Sequence, residues 1–175
     1  MSKSLFGITE GILCQQCNCK GKYGAGISGA ISSVYPEVYS AFKEDYEKYG
    51  SDRLFGMYGL VKCNSTPPLY VANIYSQYNY GRQGIHTDID KLANAISTIA
   101  VGYYEYKVYL PYHVTNTGKV TGIGAGLGGA NWVDIEKRIQ YEVDRFNIEN
   151  IYLYDTINQK VERRLIPIKR KVVFT

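Results

Sequence analysis

The sequence has no apolar run of the ~18 residues that a membrane-spanning helix needs, and its first residues, MSKSLFGITEG, contain no hydrophobic signal-peptide core. A disulfide framework is not indicated either, because the 175 residues include four cysteines and three of them are crowded together. Internal repeats and linkers rich in Pro, Gly or Ser are also missing. These absences predict a cytoplasmic chain in a reducing environment, with no membrane partner.

Positive charge is concentrated near the C-terminal end of the chain. The net charge is +4, but residues 156–175 contain six basic residues and one acidic residue, so residues 1–155 sum to −1. We therefore divide the chain into a domain at residues 1–155 and a basic extension at residues 156–175, which could add an edge strand through LIPIKRKVVF. Such a basic run is typical of a solvated edge. We expect a monomer, and a nucleic-acid-binding module built on this basic extension is the lesser alternative.

Strand-like runs alternate with helical patterns along the whole chain. Pro36 opens one helical segment, and Thr87 with Asp88 forms a candidate N-cap pair before another. This alternation predicts an α/β sandwich around a mostly parallel sheet, and turn residues at Pro67–Pro68 and at 116–118 predict antiparallel neighbours and hence a mixed sheet. The strand-like runs cover residues 11–18, 54–63, 69–77, 107–114, 119–126 and 150–155, and the helical patterns cover residues 26–50, 87–106 and 131–146.

A cysteine cluster in the stretch ILCQQCNCKGKYGAGISGAI could indicate a zinc site. Cys14, Cys17 and Cys19 have the spacing C-x₂-C-x-C. If residues 12–18 form a strand, however, Cys17 and Cys19 share one face and Cys14 points to the other. We favour buried structural cysteines and expect no metal and no other cofactor, with zinc binding as an alternative. The remaining candidate ligands have no paired spacing, and they are Cys63, His86 and His113.

Two glycine clusters each follow a strand-like run and precede a helical pattern. The first, Gly24-Ala25-Gly26 with Gly29, fits the dinucleotide-binding pattern G-x-G-x-x-G, but the position about 20 residues on lies in helical text instead of at a strand end. The second is GIGAGLGGANW, residues 122–132. Two such loops would offer two sets of backbone N–H groups at helix N-termini, which suits a diphosphate and a sugar. A dinucleotide site on the first cluster alone is the competing hypothesis.

Three blocks of sequence together resemble the macro domain, and more narrowly its phage and yeast branch of ADP-ribose-1''-phosphate phosphatases. The similarity runs from about Ser4 to Asp155. It implies the macro-domain three-layer sandwich, a mixed, mostly parallel sheet flanked by helices, with a cleft for ADP-ribose at the C-terminal strand ends. A phage-encoded member would act in the host cytoplasm. The blocks are ILCQQCNCKGKYGAGISGAI with YPEVYSAFKEDY, VANIYSQYNYGRQGIHTDIDKLANAI, and GIGAGLGGANW.

The resemblance also assigns site residues. Asn18 matches an asparagine that contacts the distal ribose, and Gln77 and Arg82 match a block near the distal end of the cleft, where Arg82 could pair with a phosphate. Ser4 and Leu5 fall at the adenine end. The two glycine loops would bind the ribose and the phosphates; they comprise Tyr23, Gly24, Ala25, Gly26 and Ile27 in the first loop and Gly124, Ala125, Gly126, Leu127 and Gly128 in the second.

The chain departs from this branch at positions that matter for catalysis. Ser4 replaces the acid expected at the adenine, and Gln15 replaces the histidine expected to transfer protons, which glutamine cannot do near neutral pH. The branch that removes ADP-ribose from glutamate has a lysine–aspartate pair. This chain lacks that pair, because Gly128 stands at the position of the aspartate. We predict Asn18 and Gln15 as catalytic positions of an enzyme that hydrolyses a distal substituent, converting ADP-ribose 1''-phosphate to ADP-ribose. The alternative is a catalytically weak binding protein that sequesters an ADP-ribose-derived nucleotide or signalling molecule.

Overall fold

The computed structural model describes residues 3–168, which form a seven-stranded sheet with two helices on each face. Among residues 3–168, no helix combines the length and the hydrophobicity that a membrane-spanning helix requires. The elements in chain order are β1 (Gly11–Asn18), α1 (Ile27–Val34), α2 (Pro36–Leu54), β2 (Tyr58–Ser65), β3 (Pro68–Gln77), α3 (Ile89–Gly102), β4 (Val108–Val114), β5 (Val120–Gly122), α4 (Trp132–Phe146), β6 (Ile151–Asp155) and β7 (Lys160–Arg164).

The strands lie in the order β2-β3-β1-β4-β6-β7, and β5 pairs with β4. The central strands β3, β1, β4 and β6 are parallel, so their carboxyl ends meet at one edge of the sheet. The other strands, β2, β5 and β7, pair antiparallel with their neighbours. The predicted mixed, mostly parallel sheet flanked by helices is confirmed.

Alternating side chains of β1 contribute to different cores. Cys14 packs in the cluster between the sheet and the α3–α4 layer, and Leu13 packs in the cluster beneath α1 and α2. Cys17 and Cys19 lie together in a third cluster with Phe42 of α2, so Cys14 lies apart from both, as strand alternation predicts. Burial raises the pKa of Cys14 to about 12, which keeps its thiol protonated. Within residues 3–168, no three His, Cys, Asp or Glu side chains come together as a metal site.

Some boundaries differ from the sequence predictions. Strand β5 is much shorter than the predicted run 119–126, because the chain turns into a loop at Gly124, whose φ is +81°. Tyr46 follows the buried Val38 and Phe42 at helical spacing along α2, but it is 37% exposed. The edge strand at this end is β7, and residues 165–168 are not a strand. The rest of the predicted edge strand, residues 169–174, lies outside the described residues.

Candidate functional site

Three loops lie together at the edge where the parallel strands end. Loop 1, residues 19–26, joins β1 to α1; loop 2, residues 123–131, joins β5 to α4; and loop 3, residues 78–88, joins β3 to α3. Loops 1 and 3 begin side by side, because the backbone N–H of Cys19 donates to the carbonyl of Gln77 at 2.8 Å. Loop 3 also binds loop 2, since the N–H of His86 donates to the Gly128 carbonyl at 2.8 Å.

Loop 1 presents open backbone at the start of α1. Gly24 and Gly26 have φ values of +102° and +62°, a region that favours glycine. A Cβ atom added to either residue would meet nothing within 4 Å. Gly26 is the N-cap of α1, and no side chain of the described residues caps that helix. The first N–H groups of α1 are therefore free to bind an anion, which the helix dipole would also favour.

The side chain of Asn18 shapes loop 1. Its Nδ2 donates to the Lys22 carbonyl at 2.5 Å, and its Oδ1 accepts from the N–H groups of Lys20 and Lys22 at 3.0 and 3.2 Å. The asparagine thus closes the turn that carries the chain from β1 towards Gly24. Its assignment to the distal ribose and to catalysis stays a prediction.

Gln15 lies in the core beneath loop 1. Its side chain is 1% exposed, and its Nε2 donates to Asn73 Oδ1 at 2.7 Å and, over a longer 3.3 Å, to the hydroxyl of Tyr23. The Tyr23 ring packs against Tyr39 and Phe42 of α2 with ring centroids 5.1 and 5.0 Å away. Burial, above all, raises the pKa of Tyr23 to about 12. These contacts give Gln15 a supporting position behind Tyr23, and its catalytic role stays a prediction that no described contact supports.

Loop 2 is folded tightly around two buried glycines. The Thr87 Oγ1 donates to the Gly124 carbonyl at 2.7 Å, and the Thr87 N–H donates to the Gly128 carbonyl at 3.2 Å. A Cβ atom on Gly128 would lie 2.1 Å from Thr87 Oγ1 and 2.7 Å from Gln16 Nε2. Gly126, by contrast, is exposed, and a Cβ atom there would meet nothing within 4 Å. The tip of loop 2 is therefore open, while its base is closely packed.

The remaining predicted residues of the glycine loops differ in how much of each side chain is accessible. Ile27 is half-buried against the cluster beneath α1, and Ala125 is half-buried against the cluster beneath α4. Ala25 is exposed, and Leu127 is 49% exposed at the tip of loop 2. Loop 1 and the tip of loop 2 thus offer backbone and small or apolar side chains to a ligand.

Gln77 and Arg82 do not meet through a hydrogen bond. Gln77 is buried and accepts from Gln16 Nε2 at 2.8 Å, so its amide faces the protein interior. Arg82 is exposed in loop 3, where the described residues give its guanidinium no hydrogen bond or ion pair. Their binding roles stay predictions, and Arg82 has the more accessible side chain.

Ser4 and Leu5 lie on the side of the sheet that α1 and α2 cover. The neighbouring Lys3 ammonium donates to the Val34 carbonyl at 3.3 Å, at the C-terminal end of α1, while Leu5 packs into the cluster beneath α1. Ser4 is exposed, and the described hydrogen bonds do not connect it to any of the three loops. The adenine assignment of Ser4 and Leu5 therefore stays a prediction.

Sequence comparison gives relatives in two yeasts, while no family model matches the chain. The ADP-ribose 1''-phosphate phosphatase of Meyerozyma guilliermondii is 30% identical over 82 residues, which cover 41% of this chain and 47% of that protein. The ADP-ribose 1''-phosphate phosphatase of Debaryomyces hansenii is 24% identical over 161 residues, which cover 82% of this chain and 88% of that protein. The first match thus spans about half the length of the relative.

Solved structures decide the fold. The macrodomain of Mycobacterium tuberculosis DarG matches with a TM-score of 0.66 at 18% identity, over 89% of this chain and 95% of that one. Thermosipho africanus DarTG in complex with ADP-ribose matches with a TM-score of 0.65 at 17% identity, over 90% of this chain and 41% of that one. The chain has the macro-domain fold. The resemblance of its sequence blocks to the macro domain is confirmed, and both yeast relatives bear the name of the phosphatase branch.

Sequence reasoning missed the polar residues that hold loop 2 of this macro domain. The sequence patterns predict no role for Gln16, and they predict Thr87 only as part of a helix N-cap pair. The structure gives the cap to Asp88, whose side chain accepts from the Lys91 N–H at 2.9 Å, and leaves Thr87 to loop 2. Strand alternation from the buried Gln15 could have indicated that Gln16 faces the other layer.

A histidine–aspartate pair lies at the same edge of the macro domain, on β4 and β6. His113 Nδ1 is 3.2 Å from Asp155 Oδ1, and the Asp155 carboxylate also accepts from the Ile157 and Asn158 N–H groups at 2.9 Å. Burial acts to raise the pKa of Asp155, but the hydrogen bonds from Asn158, His113 and Ile157 outweigh it and lower the pKa to about 2. This carboxylate therefore fixes the turn between β6 and β7.

Proposed function

We propose that this macro domain binds ADP-ribose compounds between loops 1 and 2 and hydrolyses ADP-ribose 1''-phosphate to ADP-ribose. In this proposal the diphosphate lies against the uncapped start of α1 and the open tip of loop 2. The distal phosphate lies towards loop 3, where Arg82 can supply a positive charge. In the same proposal Asn18, at the base of loop 1, orients the distal ribose.

One observation carries the proposal: two glycine loops at one sheet edge both leave open backbone. Gly24 and Gly26 of loop 1 and Gly126 of loop 2 each leave at least 4 Å of free space where a Cβ would stand. Such backbone leaves room for a phosphate at the start of α1 and at the tip of loop 2, while the Gly24 N–H itself donates to Ser28 Oγ at 3.2 Å. The yeast relatives named as ADP-ribose 1''-phosphate phosphatases and the ADP-ribose complex of the DarTG neighbour support the choice of ligand.

Two measurements test the proposal in sequence. Calorimetry with ADP-ribose should show one site per chain, and an assay with ADP-ribose 1''-phosphate should then show release of inorganic phosphate. Protein carrying Gly126→Val is the control for contaminating phosphatase, because a side chain at this position would occupy the space assigned to the diphosphate. Phosphate release that is equal in both proteins would contradict the proposal.

A sequestering protein is the second candidate function, and the position of Gln15 favours it. In the phosphatase branch this position holds the proton-transferring histidine, whereas here it holds a buried amide. The one imidazole within the three loops belongs to His86, whose Nε2 lies 2.8 Å from the Gln83 carbonyl. Tight binding of ADP-ribose 1''-phosphate without phosphate release would establish sequestration.

A further inference from the structure

Gln16 connects the central strand to both neighbouring loops. It is on the face of β1 opposite to Gln15, because successive strand residues alternate faces. Its Nε2 donates to Gln77 Oε1 at 2.8 Å and to Thr87 Oγ1 at 2.9 Å. Its Oε1 accepts from the Ser76 hydroxyl at 2.9 Å. Both N–H groups and the carbonyl of this amide therefore have partners, which restricts the side chain to one orientation.

The Thr87 hydroxyl connects Gln16 to loop 2 through two hydrogen bonds. It accepts from Gln16 and donates its single proton to the Gly124 carbonyl, so the direction of both hydrogen bonds is determined. The side chain is 8% exposed, which strengthens the dependence on these partners because water cannot readily replace them. At the other end of the loop, the Thr87 N–H donates to the Gly128 carbonyl. One residue of loop 3 thus binds both ends of the segment 124–128.

We infer that Gln16 and Thr87 are positioning residues that hold loop 2 at a set distance from the end of β1. The inference rests on the proposed function, in which loop 2 cradles the diphosphate while Asn18, two residues after Gln16, orients the ribose. Neither Gln16 nor Thr87 needs to touch the ligand. Their role is to keep the loop backbone preorganised, so that binding does not have to order it.

The test replaces the Thr87 hydroxyl by a methyl group of similar size. Thr87→Val leaves one Gln16 N–H without a partner and removes the shorter of the two hydrogen bonds to the Gly124 carbonyl, which still accepts from the Ala130 N–H at 3.3 Å. Amide exchange at Gly129 and Ala130 of loop 2 should therefore become about tenfold faster. ADP-ribose should bind about tenfold more weakly. Thr87→Ser retains the hydroxyl and should restore both values to within about twofold of the native protein. The matched control is Thr98→Val on the exposed face of α3, which removes a hydrogen bond to the Asn94 carbonyl far from loop 2.

Gln16→Leu provides the second variant and a double-mutant cycle. If Gln16 acts through Thr87, the double variant should lose little more affinity than either single variant. Additive losses, or unchanged exchange at Gly129 and Ala130 in Thr87→Val, would overturn the inference. The exchange measurement needs no ligand. A native protein that fails to bind ADP-ribose would therefore refute the proposed function, while the exchange rates would still decide whether these residues position loop 2.

Discussion

Loops 1 and 2 lie at the same edge of the sheet, but the protein holds them in different ways. Thr87 forms hydrogen bonds to both ends of loop 2, and the buried glycines Gly124 and Gly128 lie against the side chains of Gln16 and Thr87. Loop 1 is held by a turn around Asn18 and by the Tyr23 ring, and Gly24 and Gly26 at its end face open space. Loop 2 is thus held at both ends, whereas loop 1 is held through Asn18 and Tyr23 and ends in open backbone at the start of α1.

The fold requires glycine in these two loops for two different reasons, which are lack of space for a Cβ and a positive φ. At Gly128 the neighbouring atoms leave no room for a Cβ, so the fold itself requires glycine. At Gly24 and Gly26 the positive φ requires it. Gly126 has neither a crowded Cβ position nor a positive φ, so nothing in the fold accounts for glycine there. A ligand that approaches the backbone at the tip of loop 2 would account for it.

The largest expected effect is on stability, from Gly128→Ala. Its Cβ would lie 2.7 Å from the Gly124 carbonyl oxygen and closer still to Thr87 Oγ1, so the base of loop 2 must shift and break buried hydrogen bonds. We expect a loss of about 3 kcal/mol in the free energy of unfolding, measured by denaturant titration. Gly126→Ala is the matched control and should stay within about 0.5 kcal/mol of the native protein. Equal stability of the two variants would remove the distinction between base and tip.

The second prediction is a variant of the loop 2 tip that loses ADP-ribose affinity but keeps its free energy of unfolding. Gly126→Val should weaken ADP-ribose binding by about 100-fold or more, since the side chain would fill space that the proposal gives to the diphosphate and would cost the contacts made there. The free energy of unfolding should change by less than about 0.5 kcal/mol. Gly102→Val is the control, because its Cβ also meets nothing within 4 Å but lies at the end of α3. Unchanged affinity in Gly126→Val would exclude the tip of loop 2 as a phosphate site.

The third prediction is that the turn after β6 depends on acid pH, whereas loops 1 and 2 do not. The pKa of Asp155 is lowered from 3.8 to about 2 in the folded protein. The stability that this carboxylate contributes should therefore be complete above about pH 4 and disappear as the pH falls towards 2. Asp155→Asn should be less stable than the native protein at pH 6, and the difference should narrow through that window. Loops 1 and 2 contain no carboxylate, so the protection of their amides against hydrogen exchange should not follow the titration of Asp155.

The acid prediction has a matched control in Glu44→Gln. Glu44 is exposed on α2 and has no hydrogen bond or ion pair with any described residue. Its neutral variant should follow the native protein at every pH between 2 and 6. A difference between native protein and Asp155→Asn that stays constant over the same range would mean that Asp155 does not stabilise the turn through its charge.

The sequence predicted those parts of the fold that depend on local patterns. Strand β1 has the predicted bounds, because its apolar run ends at Asn18, and α2 begins at the predicted Pro36. The glycine clusters and the sheet edge that they share were also predicted. The shortness of β5 was not, since its apolar pattern continues to Gly126 and only the tertiary fold turns the chain at Gly124.

The interior of the candidate site was less predictable for a different reason. Which atoms oppose Gln16 depends on the pairing of β1 with β3 and on the path of loop 3, and both are long-range features. The family position identified Gln15 as the site of acid–base chemistry, but a position does not say which layer the side chain faces. In this macro domain the side chain faces Tyr23 and Asn73 in the core.

The smallest expected effect follows from that position and concerns Gln15→His. A histidine that acted as the general acid or base would raise the rate of phosphate release by about 10²–10⁴. We expect a change of less than about tenfold, because an imidazole at position 15 would lie behind Tyr23 and out of reach of a ligand held on the loops. The ADP-ribose affinity should also change little, because the Gln15 bond to the Tyr23 hydroxyl is long at 3.3 Å. A 100-fold faster phosphate release with a bell-shaped pH profile would instead return position 15 to the catalytic centre and would show that loop 1 moves to expose it.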